Sequence, residues 1–209
     1  MRKFTVSTRP FDDDMRLYLR KDVEFYPGLT TLVGCNGSGK TTLMQLIKEQ
    51  LKKDKDALVL SYDDRTDGQS NLMSYFGAMG YTDRLVDMFV SSEGERISRG
   101  LGLFAQGLRQ KIGKANPKQL WIFMDAVGSG LSIDGILDIK DFVNTVIMDN
   151  LGIEVYFVIS TNEYEFTIGS DSIDVTTFDH LHFKSYEEYR KFVLKTSKKK
   201  ERRYKKGDV

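Results

Sequence analysis

Gly34-Cys35-Asn36-Gly37-Ser38-Gly39-Lys40-Thr41-Thr42 decides the fold. It satisfies the pattern G-x-x-x-x-G-K-[ST] in the context that pattern requires. The apolar run 29–33 before it reads as a strand. The segment 40–53 after it reads as an amphipathic helix, with Leu43, Leu46, Ile47 and Leu51 at spacings of three and four. Glycines let a backbone wrap a polyphosphate at φ angles that other residues avoid, and successive N–H groups at a helix N-terminus face its negative charge. Lys40 reaches toward the β- and γ-phosphates, and the Thr41 hydroxyl suits Mg²⁺. The stretch therefore predicts a nucleoside triphosphate site built from Gly34, Asn36, Gly37, Ser38, Gly39, Lys40, Thr41 and Thr42.

Working outward, short runs rich in β-branched and aromatic residues predict strands over 3–8, 16–25, 29–33, 57–61, 120–124, 155–159 and 172–178. Leu-Trp-Ile-Phe-Met and Val-Tyr-Phe-Val-Ile do not alternate apolar with polar, which suits a sheet covered on both faces and an α/β architecture with a mostly parallel sheet. A second periodic segment, 132–150, carries Ile136, Ile139, Val143, Val146 and Ile147. Ser185 and Glu188 form a capping box that opens a C-terminal helix, and the Lys195–Lys206 run continues or frays from it. Asp125 closes the Leu-Trp-Ile-Phe-Met strand, where a carboxylate can hold Mg²⁺ through water.

The 209 residues suffice for one domain with a buried core. The formal net charge of +1 hides an asymmetry: residues 195–209 hold eight cations against two acids, a net +6, which leaves −5 for the first 194. Residues 1–194 are expected to form the domain and 195–209 a basic C-terminal tail. A lone Cys35 can form no intramolecular disulfide, and neither a secretory signal nor a membrane span is apparent, so a cytoplasmic protein without membrane insertion is expected.

Together these residues resemble the ABC-type ATPases, within them the SMC and RecF group that acts on DNA. G-C-N-G-S-G-K-T-T looks like that family's phosphate loop (Walker A), and Asp125 like its Walker B aspartate. Ser91-Ser92-Glu93-Gly94-Glu95-Arg96 resembles the signature motif, with Ser92, Gly94 and Glu95 matching and Glu93 replacing a glycine. Gly128-Ser129-Gly130-Leu131-Ser132 resembles the D-loop, and Asn162 stands where the switch loop usually has His. Gln69 is the candidate Q-loop glutamine and Mg²⁺ ligand. The resemblance spans roughly residues 16–165. It implies a phosphate-loop head with an N-terminal antiparallel β element, ATP and Mg²⁺ as cofactors, and a head-to-tail homodimer in which Ser92, Gly94 and Glu95 of one chain complete the site of the other.

Two departures stand out. The glutamate that usually follows the Walker B aspartate is replaced by Ala126, which predicts slow hydrolysis, a substitute base (Asp134 or Glu163) or a nucleotide-dependent interaction module with little turnover. About 50 residues without heptads separate Lys40 from Ser91, so this resembles a compact head without coiled-coil arms, like the stand-alone ABC-type proteins of bacteria and their phages. For a phage-encoded chain the compartment would be the host cytoplasm. A small-molecule kinase ranks lower, because phosphate-loop kinases need neither signature nor D-loop. A transporter ATPase subunit ranks lower because the signature departs from Leu-Ser-Gly-Gly-Gln.

The basic tail can meet nucleic-acid phosphates or merely solvate a terminus, and an unidentified protein partner stays open. Truncation after Leu194 is expected to leave ATP binding unchanged. Tyr18 and Phe25 are expected to pack against the sheet rather than stack on adenine. His180 and His182 lack a third metal ligand nearby.

Overall fold

The computed structural model describes residues 1–11, 16–63, 107–108, 110–127 and 131–207. Eight strands and three α-helices are named from these residues. The strands are β1 (Arg2–Thr5), β2 (Asp22–Phe25), β3 (Gly28–Val33), β4 (Ala57–Asp63), β5 (Gln119–Asp125), β6 (Glu154–Ser160), β7 (Asp171–Asp174) and β8 (His180–Leu181). The helices are α1 (Lys40–Leu51), α2 (Ile133–Asp149) and α3 (Tyr186–Gly207).

β4, β5, β6, β3, β7 and β8 form one sheet in that order, parallel throughout except for the β7–β8 pair. β1 and β2 form a separate antiparallel ribbon, with Phe4 opposite Val23. The fold is thus mixed α/β, a mostly parallel sheet flanked by helices with an antiparallel element at the N-terminus.

The unbroken apolar runs of β5 and β6 are explained by cover on both faces. Trp121, Phe123, Tyr156 and Val158 point to one side, where they meet Leu43, Met44, Ile47 and Leu51 of α1 together with Phe4, Val23 and Phe25 of the ribbon. Leu120, Ile122, Met124, Val155, Phe157 and Ile159 point to the other, against Ile136, Ile139, Val143 and Val146 of α2. With a side-chain period of two, both parities must be apolar when both faces are buried. Trp121 stacks on Tyr156 with centroids 4.0 Å apart and an interplanar angle of 2°, and its indole N–H donates to Gln119 Oε1 at 3.2 Å.

Three expected strands are shorter than their composition suggests, and of 3–8 only the first part belongs to Arg2–Thr5. Of 16–25 only Asp22–Phe25 pairs, because Leu17 and Tyr18 turn inward: both backbone N–H groups donate to the Thr8 carbonyl, and Leu19 N–H donates to Thr176 O. Of 172–178 only the first part belongs to Asp171–Asp174. There the Asp174 carboxylate accepts from Thr176 N–H at 2.8 Å, and Phe178 sits at φ 59°, so the chain turns before β8.

The capping box opens α3 with a shifted return bond. Glu188 N–H donates to Ser185 Oγ at 3.3 Å, while Glu188 Oε2 accepts from Lys184 N–H rather than Ser185 N–H. The helix continues through residues 194 and 195 without a break, so the basic segment forms its C-terminal half. Thr196 is buried, and Lys200 Nζ donates to the Asn36 carbonyl at 2.7 Å. Truncation after Leu194 would remove that contact with the phosphate loop.

No helix among the described residues is long and apolar enough to cross a membrane.

Candidate functional site

β3 delivers the chain to the centre of the sheet, and the loop 34–39 turns it into α1. Three glycines make the turn possible, at φ 152° (Gly34), 70° (Gly37) and 100° (Gly39). At Gly39 the need is steric as well: a Cβ there would stand 2.6 Å from Leu17 Cδ2 and 3.0 Å from Tyr18 Cε1. Leu17 and Tyr18 therefore form the floor on which the loop rests. Tyr18 is fully buried, and its hydroxyl donates to the Gly39 carbonyl at 2.9 Å. Its job is packing, as expected, and burial raises the phenol pKa well above its ordinary value.

The sheet order places the other groups. β6 lies between β3 and β5, so the chain leaving β6 emerges between the phosphate loop and the end of β5. Ligand sites in open parallel sheets collect at these carboxyl ends. A cavity of about 660 Å³ occupies this position, lined by the loop residues Asn36 to Thr42, by Asp125, Ala126 and Val127, and by Ser160, Thr161, Asn162 and Glu163. That volume falls within the range of small-molecule sites, about 300–1,000 Å³.

Lys40 points into this arrangement. Its ammonium donates to Gly34 O at 2.8 Å and to Asn162 Oδ1 at 3.0 Å. The Asn162 amide in turn donates to Asn36 Oδ1 at 2.7 Å, so Asn162 ties the lysine to the phosphate loop. Burial pushes the Lys40 pKa down to about 8, opposed by the neighbouring Cys35 and Asp125 and reinforced by the charge of Lys200. A cation kept dry without a full counter-charge favours an incoming anion.

Asp125 and Thr41 make the set suitable for a divalent ion held by oxygen. Asp125 Oδ1 is buried and finds no hydrogen-bond partner among the described residues, an acceptor whose desolvation is uncompensated in the protein alone. Thr41 is exposed and lines the same cavity. A nucleoside triphosphate with Mg²⁺ fits these groups: loop N–H donors and Lys40 for the phosphates, Thr41 and Asp125 for the ion. Thr42 also lines the cavity, while the Ser38 hydroxyl is buried without a hydrogen-bond partner among the described residues.

Ala126 adopts φ 55°, the left-handed region that costs a non-glycine residue energy. The next N–H, that of Val127, donates to Ser160 O at 3.2 Å and joins the ends of β5 and β6. The two candidate substitute bases part company here. Glu163 lines the cavity, and burial together with Glu165 raises its pKa. Asp134 lies fully exposed in the first turn of α2, and a hydrogen bond from Ser132 leads the interactions that lower its pKa. It is not among the residues lining the cavity.

Gln69, Ser92, Gly94 and Glu95, with Gly128, Ser129 and Gly130 of the D-loop-like segment, lie outside the described residues. His180 pairs through Nδ1 with the Asp171 carboxylate at 2.8 Å. The contributor that motif reading missed is Lys200. A lysine within a basic run carries no local signal that it will fold back onto a loop 164 residues earlier.

No curated protein matches this chain. The family model described as ABC transporter matches residues 22–118, which takes in β2, β3, the phosphate loop and α1 and ends one residue before β5. That match, with the mixed α/β fold, supports an ABC-type phosphate-loop ATPase domain.

Proposed function

We propose that this chain binds Mg-ATP at the 34–42 loop, dimerises head to tail around it, and uses the nucleotide cycle to engage a partner, with nucleic acid as the partner class suited to the basic half of α3. The observation that carries the reading is the convergence of Lys40, Asp125 and Asn162 on one cavity whose acceptor Asp125 Oδ1 lacks a partner among the described residues.

Two features support the shared site. Asn36, Gly37, Thr41 and Asn162 are exposed along the cavity mouth, so the described residues supply one wall and leave the other open. Ser92, Gly94 and Glu95 are the residue types that would close such a wall from a second chain, by a hydroxyl and backbone N–H groups facing phosphate. For the partner, Lys195 and Lys198 project from α3 as exposed cations that can release counterions from a polyanion.

Size-exclusion chromatography of wild type and Lys40→Ala, with and without Mg-ATP and then with duplex DNA, tests the reading. A nucleotide-dependent shift to twice the mass in wild type alone is expected. An unchanged elution volume with ATP demonstrably bound would remove the shared site. The matched family takes its name from transporters, and co-purification with a membrane subunit would move the assignment to a transporter ATPase.

Ala126 favours a second reading, an ATP-binding module with little turnover, because a methyl group cannot polarise water. Glu163, whose pKa is raised by burial beside the cavity, is the base that would rescue hydrolysis. Single-turnover hydrolysis by wild type and Glu163→Gln separates the two: a rate lost in the variant supports the ATPase, and a background rate in both supports the module.

A further inference from the structure

Gly37 lines two spaces. On one side is the nucleotide cavity. On the other is a pocket of about 40 Å³ shared with Thr196, Lys199 and Lys200 of α3. From the second side the Lys200 ammonium donates to Asn36 O at 2.7 Å. A Cβ on Gly37 would stand 2.6 Å from that nitrogen, so the lysine rests where glycine alone leaves room. The peptide joining Asn36 and Gly37 is trans, so its carbonyl and its N–H point in opposite directions. Holding the Asn36 carbonyl toward Lys200 directs the Gly37 N–H away from Lys200, and Gly37 also lines the nucleotide cavity.

We propose that Lys200 is a positioning residue of the nucleotide site: it holds the Asn36–Gly37 peptide with its N–H presented to a polyphosphate, and so makes docking of α3 and occupancy of the phosphate loop mutually dependent. The proposal deepens the nucleotide-binding reading above and rests on it. Buried Thr196 lies one helical turn before Lys200 and sets the helix against the body of the protein. The Lys200 charge also acts on Lys40, which places it within electrostatic reach of the phosphate-binding lysine. Coupling of this kind is reciprocal, so bound nucleotide must tighten α3 by as much as α3 tightens nucleotide. It also divides the basic half of α3, with Lys200 committed to the loop and Lys195 and Lys198 left facing outward.

The test uses the full chain and calorimetric titration with Mg-ATP. Lys200→Met is expected to weaken binding about three- to tenfold, the scale of one partly exposed charged hydrogen bond. Lys200→Arg is expected to recover affinity to within about twofold. Lys191→Met, the same charge change on the opposite face of the helix, should bind as wild type. With ¹⁵N-glycine labelling, the Gly37 amide of the nucleotide-free protein should shift in Lys200→Met and stay in place in Lys191→Met. Amide exchange over residues 196–200 should slow on adding Mg-ATP in wild type, and the slowing should be lost in Lys200→Met.

Wild-type affinity in Lys200→Met, or an equal loss in Lys191→Met, overturns the proposal while leaving nucleotide binding intact. Failure of wild type to bind Mg-ATP, or equal binding by Lys40→Ala, overturns both.

Discussion

The Lys40 ammonium donates to the Asn162 side-chain oxygen at 3.0 Å, across 122 positions of sequence. Asn162 simultaneously donates to Asn36, so one exposed amide joins the end of β6 to both the lysine and the loop it serves. Asn162→Ala takes one acceptor from buried Lys40, which keeps Gly34 O, and should cost about 1 kcal/mol of stability without unfolding the protein. It should lower single-turnover ATP hydrolysis at least about tenfold, the lower range for a group that orients a reacting centre. A wild-type rate in the variant would assign Asn162 to the resting state alone.

Lys40 also sets a pH dependence. Its pKa in the folded, nucleotide-free protein is about 8 against an ordinary value of 10.5, so between those limits the unfolded chain holds the proton and the folded chain does not. Stability from this group therefore rises as pH climbs from 8 to 10.5, and it is lower by the full amount below 8. Nucleotide affinity should run the other way, because the neutral amine no longer attracts phosphate. The dissociation constant for Mg-ATP should weaken progressively between pH 7 and 9.5 in wild type and stay flat in Lys40→Arg. Titration calorimetry in buffers of matched ionic strength reads both.

Gly39 meets backbone and packing limits at once, with φ 100° and a would-be Cβ 2.6 Å from Leu17. Gly39→Ala should cost about 1–3 kcal/mol in denaturant unfolding and abolish detectable ATP binding. Gly28, also at positive φ but with nothing within 4 Å, provides the contrast. Gly28→Ala should cost only about 1 kcal/mol of backbone strain and leave ATP binding unchanged.

Charge reversal at exposed positions tests the nucleic-acid reading without disturbing the loop. Lys195→Glu with Lys198→Glu should leave Mg-ATP affinity within about twofold and reduce the slope of log affinity against log salt for duplex DNA by about two. Fluorescence anisotropy across a salt series gives the slope. An unchanged slope assigns these lysines to the solvated surface.

Much of this was readable from local pattern. The loop 34–42 announced itself because phosphate wrapping demands glycines, a lysine and a hydroxyl at fixed spacing, and its flanking strand and helix followed from period. The two apolar runs of β5 and β6 revealed a sheet covered on both faces before any helix was placed on it. Local composition misled at 16–25 and 172–178, where apolar residues turned inward under a loop instead of pairing along a strand. Leu17 and Tyr18 look like strand residues in sequence, and only the space beneath Gly39 explains them.

By itself the sequence determined the phosphate loop, the acidic strand end at Asp125 and the absence of a glutamate at 126, because these depend on residue type at short spacing. Tertiary structure alone decided that Asn162 meets Lys40, that Glu163 faces the cavity while Asp134 faces solvent, and that Lys200 reaches the Asn36 carbonyl. Those juxtapositions follow from strand order and helix docking. A sheet that inserts β6 between β3 and β5 brings together groups more than a hundred residues apart, and no local pattern records which strand will be the neighbour.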